Sequence, residues 1–135
     1  MHRMGDSVSR KREETAMQKC VMRELGALYY VVVHRNNVGV ATFAAEDGRP
    51  QRVEYGTGGE GAPDLLFEVL YERGPTPVWV ALWVELKTET GELRPSQVAW
   101  HAAAAKMHRN AVVARSVEQS RYFVEMVREH GRVLR

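Results

Sequence analysis

The chain has 135 residues, 44% of them hydrophobic, which is enough for one domain with a proper core and too few for two. Nineteen Lys plus Arg against seventeen Asp plus Glu leave a net charge of +2, too small a bias to identify a polyanionic partner by itself. The single cysteine, Cys20, excludes an internal disulfide, and with neither a signal-peptide pattern nor an apolar run of membrane-spanning length, a cytoplasmic or host-cell-internal protein is expected.

Residues 1–10 carry no pattern and are expected to be a disordered lead-in to a single domain over 11–135. From about Arg12 to Leu28, Ala16, Met17, Cys20, Val21, Leu25 and Leu28 recur at helical spacing, with Ser9 or Asp6 available as a cap. Cys20 lies on the apolar face, where a buried, unreactive thiol is expected. "ALYYVVVH" predicts a strand from its aromatic and β-branched residues, and "VGVATFAA" a second one closed by the turn "EDGRP". "QRVEYGTGGEGAP" is rich in glycine and reads as a loop arriving at Asp64. "DLLFEVLYE" reads as a strand, "RGPTP" as a turn, and "VWVALWVELK" as a central strand covered on both faces. Ser96 is placed to cap a helix reaching about His108, with Val98, Ala99, Ala102, Ala103 and Met107 on its apolar side. "NAVVARS" is a short strand, and Ser116 caps a last helix that Gly131 ends. This order predicts an α/β domain with a mixed sheet of three or four strands plus one, flanked by helices, rather than a doubly wound parallel sheet.

Three polar residues stand out against these apolar strands. Asp64 opens one strand after Pro63, and Glu85 and Lys87, two apart, share one face of the most apolar strand. If those strands pair, two carboxylates come close, and they repel unless a cation neutralises them; an oxygen-rich pair that leaves room for water and phosphate suits magnesium or manganese. Lys87 is then positioned to orient or deprotonate an attacking water. The alternative is a solvated strand end with Asp64 as a turn residue. Charge is also uneven: residues 46–92 hold four basic and ten acidic side chains, whereas residues 1–35 hold seven and four and residues 93–135 hold eight and three. An acidic centre between basic flanks fits a metal site beside phosphate-holding surfaces. His101, His108 and His130 have no zinc-type spacing, and His101, four residues beyond Gln97, reads as a hydrogen-bonded surface histidine. "GTGGEG" lacks the Lys-Ser/Thr ending of a nucleotide phosphate loop. Trp79, Trp83 and Trp100 are expected in the core or at a subunit interface.

Taken together, "GTGGEGAPDLLFEVL" and "VWVALWVELKTETGELRPSQVAWHAAAAKMHRNAVVARS" resemble the VRR-NUC nucleases, a branch of the PD-(D/E)XK superfamily. The likeness runs through the loop glycines, Pro63 and Asp64, Glu85-x-Lys87, Gly91, Leu93, Gln97 and the strand closing in Arg115 and Ser116. It implies a restriction-endonuclease-like core with helices on both sides of a mixed β-sheet. It further implies a Mg2+- or Mn2+-dependent DNA endonuclease, structure-specific for four-way junction or flap DNA, and a homodimer. By resemblance, Asp64 and Glu85 hold the metal, Lys87 serves the water, and Gln97 sits at the mouth of the site. The family also uses a glutamate on the first helix. Glu13 and Glu14 both qualify, and Glu14 is preferred because Met17 and Val21 follow it along the inward stripe. His34, Arg35 and Asn36 would approach the DNA backbone, against the alternative of a polar turn after "YYVVV". The competing class is a DNA-binding module without catalysis.

Overall fold

Met17, Val21 and Leu25 form the inner stripe of a helix, and Leu65, Phe67 and Val69 alternate along a strand; these two periodicities meet in one core. The structure is a computed structural model and describes residues 4–134. Its elements are α1 (Met4–Gly26), β1 (Val31–Arg35), β2 (Gly39–Ala44), β3 (Pro50–Tyr55), β4 (Leu65–Tyr71), β5 (Val78–Leu86), α2 (Pro95–Lys106), β6 (Ala111–Ala114) and α3 (Val117–His130). The main sheet runs β1-β4-β5-β6; β4 is antiparallel to both β1 and β5, and β5 is parallel to β6. The mixed sheet flanked by helices is therefore the observed architecture.

Register assigns the two faces. Leu65 pairs with Val84, Phe67 with Leu82, and Val84 with Val112, so one face is wholly apolar and meets Val21 and Leu25 of α1 and Val124 and Val127 of α3. The opposite face of β5 carries Trp83, Glu85 and, just beyond the strand, Lys87, and there α2 contributes Gln97 and Trp100. Ser116 caps α3 by accepting from Gln119 N at 3.0 Å, and Gly131 closes it at φ 73, a left-handed conformation that glycine adopts without penalty.

Several expectations need correction. α1 begins at Met4, so residues 4–10 of the expected lead-in are helical and neither Ser9 nor Asp6 is its cap; residues 1–3 lie outside the described residues. The apolar spacing marks only the part of a helix that touches the core, and the turns beyond it leave no such trace. "QRVEY" is not loop but β3, paired with β2 as a separate two-stranded sheet. Among the described residues that hairpin meets no other element and carries no run of alternating buried positions by which a strand is recognised. β5 is covered on both faces only from Leu82 on, while Val78 and Trp79 are 46% and 50% exposed, which takes Trp79 out of the core. α2 starts at Pro95 with Arg94 as its cap residue rather than Ser96, because proline suits the first helical position, where its missing N–H costs nothing. Val98 and Met107, expected inside, are exposed, and the buried line of α2 runs through Gln97 and Ala104. Cys20 is half-buried, its sulfur 3.7 Å from the Arg23 guanidinium.

The turn after β5 is held from β6. Arg115 Nη1 donates to the carbonyls of Thr88 (2.7 Å) and Gly91 (2.6 Å), and Lys87 N donates to Ala114 O at 3.0 Å. Hydrogen bonds from a charged donor contribute about 1.5–3 kcal/mol. Arg115→Ala is accordingly expected to lower unfolding free energy by about that amount in a denaturant titration. An unchanged midpoint would show that the turn holds without it.

Candidate active site

Continued by one residue, the Leu65–Val84 register sets Asp64 level with Glu85. Two further contacts fix Asp64. Its carbonyl accepts from Asn36 N at 2.7 Å, and its Oδ2 lies 3.4 Å from Leu86 N. Asn36 itself is fully used by the fold: Nδ2 donates to Thr57 O (2.8 Å) and Pro63 O (3.0 Å), and Oδ1 accepts from Thr57 N (2.9 Å). The side chain expected to face DNA thus ties both ends of the glycine-rich loop to β1.

That loop is pressed against α2. Gly61 has φ +84, and a Cβ there would stand 2.2 Å from Ser96 O; Trp100 Nε1 donates to Gly58 O at 2.8 Å. Only glycine permits both the backbone sign and the approach. Gly61→Ala is expected to cost about 1–3 kcal/mol of stability, and to reduce function by shifting the loop that delivers Asp64. A thermal melt coinciding with that of the unmodified protein would refute the steric argument.

Glu85 is 1% exposed, a costly place for a carboxylate. Its Oε1 accepts from Gln97 Nε2 at 2.8 Å and lies 3.9 Å from Lys87 Nζ. Gln97 is buried as well, and its Oε1 accepts from Arg94 N at 2.8 Å, so the amide is locked between the helix entrance and the carboxylate. No donor among the described residues reaches Glu85 Oε2, and the adjacent Asp64 carboxylate can only share a proton with it. Burial first, then the charge of Asp64 and a hydrogen bond to it, raise the Glu85 pKa to about 8, with Lys87 pulling the other way.

The expected site residues do not all lie together. Asp64, Glu85, Lys87 and Gln97 converge. Glu14 lines a cleft of about 190 Å³ that also has Asp64, Lys11 and Arg35 in its walls, whereas Glu13 does not line it. His34 is turned to another partner, Glu68, at 3.2 Å. His101 is half-buried with a buried Nε2 that meets no hydrogen-bond partner among the described residues, and burial lowers its pKa, in contrast to the hydrogen-bonded surface histidine expected at this position. A second cleft of about 480 Å³ opens from Asp64 on the other side, walled by Arg52 and Arg94. The sequence gives no sign of Lys11 or Arg52 as site residues; only Arg94, three residues before Gln97 at a Pro-marked helix start, has a local cue. Among the described residues no group of three His, Cys, Asp or Glu side chains is arranged to hold a metal.

No family model and no curated protein matches the chain. Among solved structures, a chain described as "VRR_NUC domain" is similar at 27% identity, over 87% of this chain and 95% of that one, with a TM-score of 0.50. The chain has a VRR_NUC-like fold. This agrees with the PD-(D/E)XK type of nuclease, whose sheet-and-helix core the four-stranded sheet reproduces. In a VRR_NUC-like frame the converging residues occupy the open end of the β4–β5 pair, where β4 begins and β5 ends. No helix among the described residues is long and apolar enough to cross a membrane.

Proposed function

We propose that the protein is a metal-dependent DNA endonuclease that hydrolyses phosphodiester bonds at the Asp64, Glu85, Lys87 and Gln97 cluster. One observation carries the reading: a carboxylate buried to 1% exposure, held on one oxygen by a locked glutamine and left without a donor on the other, beside a second carboxylate and a lysine. A fold maintains so costly an arrangement for chemistry more readily than for stability. The cluster fits magnesium or manganese despite having fewer than three acidic ligands, since a small hard cation is commonly held by one or two carboxylates together with water and substrate phosphate. Held by Asp64 and Glu85, such a cation would neutralise charge on the scissile phosphate and acidify the attacking water.

The remaining roles fall to this chain's own side chains. Gln97 fixes Glu85 Oε1, leaving the buried Oε2, which no donor among the described residues reaches, as the oxygen that would hold the cation. Lys87 Nζ, within reach of the same carboxylate, orients the attacking water, takes its proton when neutral, and offers positive charge to the crowded phosphate. Glu14, which lines the smaller cleft together with Asp64, would hold a water beside a bound cation. The reading extends to a homodimer acting on four-way junction or flap DNA, with residues 11–135 as the single working domain.

The test is cleavage of end-labelled single-stranded, duplex, flap and four-way-junction DNA, with Mg2+, Mn2+ or EDTA. Products formed only with metal, and fastest on a branched substrate, are the expected result. A folded protein that binds these DNAs and cuts none would be a binding module, and the reading would fall. Sedimentation at micromolar concentration checks the dimer separately.

A further inference from the structure

Asp64 lines two clefts at once. The smaller one is formed by α1 and the end of β1 and includes Lys11 and Arg35. The larger is formed by the β2–β3 hairpin and the entrance to α2 and includes Arg52 and Arg94. None of these four cations makes an ion pair with a described residue, whereas Arg49, Arg73 and Arg128 are paired with Asp47, Glu129 and Glu72. Gly39, Gly56, Gly59 and Gly61 line the larger cleft and present no side chain to a backbone lying close to Asp64. Among the described residues, the hairpin that delivers Arg52 packs against no other element. A two-stranded ribbon contributing nothing to the core is poorly explained by stability, since such a hairpin is marginal on its own.

We infer that the two clefts form one continuous track for a DNA strand, in which Lys11 and Arg35 hold phosphates on one side of Asp64 and Arg52 and Arg94 hold phosphates on the other. The inference rests on the nuclease reading for the position of the scissile phosphate, but the track itself is a binding claim. Unpaired guanidinium and ammonium groups spaced along a groove are what a regularly charged backbone requires, and the arginines can each grip a phosphate with two N–H groups. The acidic residues in the clefts, Glu14, Glu60 and Asp64, repel a phosphate that strays toward them, so the cations set the path. The hairpin serves as an arm that closes one side of the track, and it separates this protein's substrate-holding surface from its catalytic sheet.

The experiment compares the full chain with two double variants, Lys11→Ala/Arg35→Ala and Arg52→Ala/Arg94→Ala, and with Arg73→Ala, which lies beyond the far end of β4. Binding of a fluorescein-labelled duplex in EDTA is followed as a function of salt, and KM for cleavage is measured with Mg2+. Each phosphate contact adds about 0.9 to the salt slope on duplex DNA, so each double variant should lose about 1.8 from it. Each should also raise KM at least tenfold, with Arg73→Ala leaving both quantities where they were. If only one double variant changes the slope, the track does not continue across Asp64 and the inference is wrong. It is equally wrong if Arg73→Ala matches the doubles, because net charge alone then accounts for the effect. Unchanged slopes in a protein that still cleaves overturn the track and spare the nuclease reading. Lost slopes in a protein that never cleaves do the reverse. Thermal melts confirm that the exposed positions leave folding intact.

Discussion

Lys87→Ala is expected to abolish most DNA cleavage, by about a hundredfold to ten-thousandfold in kcat, while DNA binding persists. The residue is 8% exposed and its ammonium lies 3.9 Å from Glu85 Oε1, so it is neither a surface cation nor a free packing element. It has two chemical uses in the proposed reaction, proton handling at the attacking water and charge on the transition state, and alanine removes both. The substitution also withdraws the positive charge that partly offsets the Asp64–Glu85 repulsion, so the fold must be checked by thermal melt. Lys87→Met keeps the stem length and apolar volume, which separates lost chemistry from a lost packing stem. Full activity in a folded Lys87→Met protein would remove lysine from the mechanism. Equal loss in both variants, with DNA affinity retained, would place the effect in the chemical step.

Glu85 makes the metal-free protein sensitive to alkali. Its pKa is raised to about 8, so the folded state holds a proton that the unfolded chain gives up in the ordinary carboxylate range. The stabilisation is therefore fully present below about pH 4.5 and is lost progressively as pH rises toward about 8, after which this residue adds no further slope. A pKa difference of one between folded and unfolded chain corresponds to about 1.4 kcal/mol, so the whole loss is of the order of a few kcal/mol. A divalent cation reverses the trend. Binding to the Asp64–Glu85 pair requires ionised Glu85, so apparent Mg2+ affinity should rise with pH, by up to about tenfold per pH unit, and level off near pH 8. Thermal melts from pH 6 to pH 9, with and without Mg2+, read both effects. The metal-free protein should melt lower at pH 9 than at pH 6, and Mg2+ should raise the melting temperature most at the alkaline end. Glu85→Gln should flatten both dependences. A Mg2+ effect that shrinks as pH rises would mean that the cation is not held by this carboxylate.

The same buried carboxylate shows how far the sequence reached. An apolar run that switches to Glu85-x-Lys87, with Asp64 opening a neighbouring strand, was enough, together with the family resemblance that adds Gln97, to select four residues that the structure brings together. Both segments were legible as strands, but that Leu65, Phe67 and Val69 share one face with Leu82, Val84 and Leu86 follows from the cross-strand register. Capping by Ser116 and termination at Gly131 were equally legible, since both act within a few residues.

What failed was everything whose cause is not local. The described side chains of β3, residues 50–53, are all exposed and wrote no pattern, and the hairpin emerged only through cross-strand pairing. Asn36 was singled out by the family resemblance as a DNA contact; its use as a staple was not legible, because it depends on Thr57 and Pro63 arriving from a loop more than twenty residues away. Gln97 could be picked out by resemblance, but its hold on Glu85 depends on α2 lying across the end of β5. By itself the sequence determined which segments form the central strands, where the last helix stops, and which charged residues interrupt the core, because these follow from neighbours along the chain. Only the tertiary structure decided that Asp64 would meet Glu85 and also line two clefts, with cations from α1, β1, β3 and the entrance to α2 in their walls. Register and packing join residues far apart in the chain, and no local pattern encodes where those segments will meet.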